Sequence, residues 1–223
     1  MLYPLPLTLF IIGLSLFIVF VFVSKLFYFK KYETKYSLLR MFPYEFNYPN
    51  VFKNNLYGNL LLILGALAIT SFYNFASFKD LYSYVTIIIS IILAMLMIIL
   101  LSLPLKYLRS HIVVAIFSMV LTFALTILNS FRAFDLYQNE IYQNKKVALI
   151  ISMVISIIFA LTMLIVVINP KMTYQIYAKK IIDENGNERL ERPNIIVAAL
   201  SEWITMIIYF LSPLPVLILL FIK

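Results

Sequence analysis

The sequence predicts an all-α, polytopic integral membrane protein: a compact bundle of about six transmembrane helices with two basic cytoplasmic loops. Three observations carry that expectation. Of 223 residues, 63% are hydrophobic and only 13% charged, whereas a soluble domain is about half apolar and about a quarter charged. Six separate stretches are apolar over the ~20 residues a helix needs to cross a hydrocarbon core of about 30 Å. The basic residues gather between alternate stretches instead of spreading evenly.

Taken in order, the predicted spans are Leu7–Ser24, Gly58–Phe75, Tyr82–Leu103, Ile112–Phe131, Val147–Ile168 and Ile195–Ile222, all within one transmembrane domain over residues 1–223. The run in "MLYPLPLTLF" has neither a preceding basic residue nor a small-residue cleavage site, so it is read as a retained helix. Of the 18 Lys and Arg, thirteen fall in the loops after the first, third and fifth spans, and five on the other side. By the positive-inside rule both termini lie outside, and the long loops 25–57 and 169–194 lie in the cytoplasm of a cell bounded by this plasma membrane. Abundant Phe, Tyr, Ile, Asn and Lys suit an AT-rich genome, as in many bacteria.

The first long loop, "KLFYFKKYETKYSLLRMFPYEFNYPN", repeats Tyr28, Tyr32 and Tyr36 at helical spacing beside Lys31 and Lys35. This predicts that the first helix continues as an interfacial helix until Pro43 ends it. Lys30, Lys31, Lys35, Arg40, Phe42 and Tyr44 are its candidate contacts, with anionic lipid head groups or with a cytoplasmic protein partner. The second loop contains Asn185-Gly186, a strong hairpin signal, with "YAKKII" and "ERLER" as arms. "DENGNE" fails as a calcium loop, because counting from Asp183 puts Glu188 where glycine is needed and Asn194 where glutamate is needed.

Small and hydroxylated residues recur at helical spacing on several spans: Ser83, Thr86, Ser90 and Ala94; Ser152, Ser156 and Ala160; Gly65, Ala68 and Ser71. These are packing seams, since such residues let helix backbones approach in lipid. The fourth and sixth spans carry longer polar stripes. One joins His111, Ala115, Ser118, Thr122, Thr126 and Asn129; the other joins Ala198, Glu202, Thr205, Tyr209 and Ser212. Helix packing explains both. A polar path or pocket between the two spans, with His111 and Glu202 at its inner mouth, explains them equally and requires the spans to be neighbours. If Lys223 marks the outer edge, about 20 residues back lies Trp203. Glu202 is then expected at the inner membrane boundary, with Trp203 as an interface anchor. Pro213 and Pro215 in "LSPLP" predict a bend in the last span.

Several function classes drop out. With no cysteine and one histidine, thiol chemistry and multi-histidine metal sites have no ligands. G-x-S-x-G, H-E-x-x-H and a Gly-rich phosphate loop are all missing, and a Ser–His dyad on His111 has no marked nucleophile. No enzyme, no cofactor and no metal is therefore expected, with an intramembrane enzyme as the remote alternative. The net charge of +8 sits beside apolar runs, so the expected partners are anionic lipids and other membrane or cytoplasmic subunits, not nucleic acid. Two readings stay open. One is a small transport component or accessory subunit of a membrane complex. The other is a non-transporting scaffold that docks cytoplasmic partners through its basic, aromatic loops.

Overall fold

The computed structural model describes residues 4–33, 35–47, 52–76, 80–103, 107–170, 179–182, 188–191 and 193–222. Seven α-helices form the bundle: α1 (Pro4–Tyr32), α2 (Leu56–Phe75), α3 (Leu81–Ser102), α4 (Leu108–Gln138), α5 (Lys146–Ile168), α6 (Val197–Leu211) and α7 (Pro213–Ile222). Helices α6 and α7 are the two halves of one bent span, so six helical stretches among the described residues are long and apolar enough to cross a membrane. Each overlaps one of the six predicted spans.

The last span is the centre of the bundle. Of its apolar window 67% is buried, against 28% for α1 and for α5. It contacts α1, α4 and α5 along its length, while α1 packs along α2, and α3 bridges α2 to α4. The predicted seams face inward: Ser83, Thr86, Ser90, Ala94, Ser152, Ser156, Ala160, Gly65 and Ala68 are buried, and Ser71 is half-buried. Gly13 and Gly65 bring α1 and α2 together. A Cβ on Gly65 would lie 3.1 Å from the Gly13 carbonyl oxygen and 3.2 Å from Phe210, so that contact closes only because no side chain stands between the helices.

The bend in the last span is satisfied from three sides. Pro213 has no N–H for the Tyr209 carbonyl, which instead accepts the Ser212 hydroxyl at 2.7 Å. Asn129 on α4 donates to the Ser212 carbonyl at 3.1 Å, and Ser152 on α5 donates to the Pro215 carbonyl at 3.0 Å. In a low-dielectric bundle these side chains replace the water that a kinked helix would otherwise need.

Three sequence expectations change. Helix α1 stops at Tyr32, where Glu33 takes a left-handed φ of 54°, well before Pro43. The chain then folds back so that Tyr36, Phe42 and Phe46 are buried, which a continuing helix projecting into water would not allow. Arg132, expected in a loop, lies within α4 and is buried, donating to Ser83 Oγ at 3.1 Å and Asp80 Oδ1 at 3.4 Å. The hairpin forms, with β1 (Lys179–Ile182) antiparallel to β2 (Glu188–Glu191), but Ile182 pairs with Glu188. That register is one residue out from a two-residue turn at Asn185-Gly186, and those two residues lie outside the described ones.

Two consequences are measurable. Gly65→Leu should force α1 from α2 at a cost of about 1–3 kcal/mol, seen as a lowered unfolding midpoint in detergent; an unchanged midpoint would show that the helices do not meet there. Asp80 caps α3 through the Ser83 N–H at 2.6 Å. Burial opposes its ionisation, but the Ser83 hydrogen bonds and the Arg132 charge outweigh burial and hold its carboxyl below the usual value. A depressed folded pKa means stability held above the unfolded pKa and lost as pH falls through the folded one. Asp80→Ala should therefore cost about 0.5–2 kcal/mol at neutral pH. Wild type and variant should converge on acidification below about 3.9, and parallel pH profiles would rule the cap out.

Candidate functional site

The first turn of α4 and the second turn of α6 meet at the end of the bundle that carries the two long connections. Small residues on each helix, Ala115 and Ala198, keep them close, and both are buried. The contact joins His111 Nε2 to Glu202 Oε1 at 2.7 Å, with the two side chains 0% and 3% exposed. The other ring nitrogen, Nδ1, lies 2.6 Å from the Leu103 carbonyl oxygen. A carbonyl only accepts, so Nδ1 carries a proton.

That assignment constrains the pair. Either Nε2 accepts a proton from a neutral Glu202, or it donates one to a Glu202 carboxylate. With neither proton present, two acceptors would face each other at 2.7 Å. At least one proton therefore lies between the two side chains, and with one the pair has no net charge in either arrangement. This is the form that buried ionisable groups favour, since an isolated charge there is costly. In both arrangements Oε2 of Glu202 remains an acceptor, and it is buried with no hydrogen-bond partner among the described residues.

Segment 36–47 roofs the pair. Phe42 and Tyr44 set their rings edge-on to the His111 imidazole, at 5.9 and 5.5 Å. Tyr36 holds the turn by donating to the Phe42 carbonyl at 2.6 Å, and Glu45 accepts the Phe42 N–H at 3.0 Å. Burial, then the Glu45 charge, pushes the Tyr36 phenol well above its usual pKa, so it stays a donor. Trp203 donates its indole N–H to the Met41 carbonyl at 2.9 Å. Asn47 donates to the Leu101 carbonyl at 2.8 Å, and the Ile196 N–H to the Leu39 carbonyl at 2.8 Å. The roof is thereby tied to α3 and α6 by hydrogen bonds.

Beneath the pair lies a cavity of about 140 Å³, lined by Glu202 and by Ile112, Ala115, Ile116, Met119, Val167 and Ala198; Ile116 and Val167 are exposed, so its wall reaches the outer surface of the bundle. Apart from the carboxyl group its walls are apolar side chains.

The predicted site residues separate into three groups. His111 and Glu202 form the site. Asn129, Ser212 and Tyr209 belong to the bend and the core: Asn129 and Ser212 meet there with Tyr73, whose hydroxyl donates to Ser212 Oγ at 2.8 Å. Tyr209 OH lies 3.4 Å from Thr70 Oγ1 and from the Ala66 carbonyl. Ser118, Thr122, Thr126 and Thr205 are buried between helices, and each hydroxyl donates to a carbonyl of its own helix at 2.8 Å. The stripes thus face the bundle, but these four donors are already used and form no chain of exchangeable protons from end to end.

Glu202 and Trp203, expected at the membrane boundary, are buried in protein, because segment 36–47 extends the bundle beyond them. Phe42 and Tyr44, expected as outward contacts, are 0% and 8% exposed and point inward. Lys30, Lys31 and Lys35 remain exposed, and Arg40 is half-buried. The residues that sequence reasoning missed here are Glu45, Tyr36 and the carbonyls of Met41 and Leu103. Their one signal is the density of aromatics around Pro43, which suits a buried turn as well as a surface. No protein-family model, curated protein or solved structure matches the chain.

Removing either partner of the pair should cost about 3–5 kcal/mol, because it strands the other. His111→Leu combined with Glu202→Leu should cost less than either single change, since an apolar pair needs no partner. Unfolding in detergent across this double-mutant cycle measures the coupling, and additive effects would mean the two groups do not interact.

Proposed function

We propose that this chain is a small membrane transport component, or an accessory subunit of a membrane complex, whose ligand site is the cavity under the His111–Glu202 pair. One observation carries the reading: the Glu202 side chain, whose buried Oε2 has no hydrogen-bond partner among the described residues, lines an otherwise apolar cavity. Buried acceptors are normally satisfied, and one left over at a cavity wall suits a ligand bearing a hydrogen-bond donor, a hydroxyl or an ammonium, on a small apolar body. At about 140 Å³ the space accepts one such group, below the ~300 Å³ of a whole drug-sized site. An ammonium would bind with release of the shared proton, leaving a carboxylate opposite the cation. A hydroxyl would bind without changing the pair.

The charge bias of the loops supports an orientation with the 36–47 roof on the cytoplasmic side. In that orientation the roof closes the site from the cytoplasm, and passage of a ligand requires Phe42 and Tyr44 to move off His111. The proposed role is capture, without catalysis or a bound cofactor, in partnership with other subunits that drive movement. The scaffold reading loses its aromatic docking surface, because Phe42 and Tyr44 are buried. It keeps the exposed lysines of α1 and the hairpin.

The test is extraction and mass analysis of small molecules from the full chain purified in mild detergent. Wild type should carry a donor-bearing small molecule. Ile116→Trp, at an exposed wall position that fills the cavity and leaves the α4–α6 contact in place, should reduce it at least about tenfold, the loss expected for one blocked contact of about 1.4 kcal/mol or more. Equal retention by Ile116→Trp, or an empty wild type, would overturn the capture reading. The same purification reports whether partner subunits accompany the chain.

A further inference from the structure

A second concavity is unrelated to the His111–Glu202 site. It is a groove of about 720 Å³ between the C-terminal end of α1 and the N-terminal end of α2. Leu26 on one helix, with Leu60 and Leu64 on the other, form its floor and walls, and all three are exposed. At its mouth Phe27 and Tyr57 stack at 6.2 Å, and Lys30 completes the lining. The groove therefore has direction. Leu60 to Leu64 is one helical turn, about 6 Å of axial descent away from Tyr57, and the single charge lies at the opposite, loop-bearing end.

Apolar helix surface facing lipid is ordinary and needs no special occupant. A groove of this volume is different, because it falls in the size range of sites that hold a defined ligand. The charge pattern selects which. Around the mouth, Lys30 and Lys31 on α1 and Lys53 just before α2 are exposed, against one exposed acid, Glu33. Basic pockets between helices at this depth suit a phosphate head group, and aromatic rings suit the glycerol level just below it.

We propose that the α1–α2 groove binds one anionic phospholipid, with an acyl chain along Leu26, Leu60 and Leu64 and the phosphate at Lys30. Tyr57 and Phe27 flank the glycerol ester region. Lys25 serves as an internal control, since it lines a separate cleft with Phe22 and Phe29 on the other flank of α1. A site at Lys30 and a diffuse basic surface therefore make different predictions.

The experiment is native mass spectrometry of the full chain released from nanodiscs of equal phosphatidylglycerol and phosphatidylcholine. Wild type should retain one phosphatidylglycerol per chain, with about a fivefold preference, the discrimination expected of one lysine near the membrane surface. Lys30→Gln should bring the preference close to unity. Leu60→Trp, at an exposed position that fills the groove without touching the core, should lose the retained lipid of either kind. Lys25→Gln should leave retention unchanged. Equal retention of both lipids by wild type, equal effects of the two lysine variants, or a second copy of the chain in place of lipid would each overturn the proposal. None of these outcomes bears on the Glu202 cavity, so the two readings fail separately.

Discussion

A carboxyl group inside an apolar bundle must either give up its charge or be met by one, and Glu202 is met by His111. Much of the loop-bearing end follows from that requirement. The pair fixes the distance between α4 and α6, and the second imidazole nitrogen fixes where α3 must end, because Leu103 has to offer its carbonyl there. Water must also be kept out, since a hydrated pair would be a weak, screened contact. The 36–47 segment does this with two aromatic rings on the imidazole and a third, Phe46, against Trp203 at 5.7 Å.

The opposite half of the same span meets a different constraint. At Ser212–Pro215 the polar groups at risk are backbone carbonyls, and the solution is to bring side chains to them: Asn129 from α4 and Ser152 from α5. The last span is therefore anchored by hydrogen bonds near its N-terminal end and at its central bend, with Tyr209 and Phe210, both fully buried, packed just before the bend. Between helices in lipid the hydrophobic effect gives little direction, so these polar contacts and the Gly13–Gly65 approach determine which helix lies where.

The spans were legible because length and apolarity are the whole signal for crossing a bilayer. The inward faces were legible as well, since Ser83, Ser90, Ser152 and Ser156 recur at helical spacing and have no reason to face lipid. That His111 and Glu202 head their two stripes at the same end also pointed to the pair. The roof was not legible. An aromatic stripe beside a lysine stripe suits an interfacial helix and a folded-back turn equally, and the decision rests on Trp203, 162 positions away, offering its indole N–H to Met41. The indole therefore packs inside the protein, and Glu202 beside it is met by His111. The central position of the last span was hidden for a related reason. Its polar stripe, Glu202 to Ser212, marks one inward face, and the apolar remainder does not tell whether it meets protein or lipid.

The same local hydrogen bonds bear on what the site does. A proton path needs hydroxyls free to pass a proton to the next group, and Ser118, Thr122, Thr126 and Thr205 have each committed their donor to a carbonyl within their own helix. The stripe beneath the pair therefore contributes close helix contact and a satisfied backbone. The proton shared by His111 and Glu202 is local to the pair, and the means of exchanging it is displacement by something that enters the cavity or movement of the roof above it. A group that holds one proton and has no connected donors to relay it is better suited to sensing a ligand's charge than to conducting. That distinction supports the proposed capture role over an autonomous proton-driven pump, which would need further ionisable groups along the bundle.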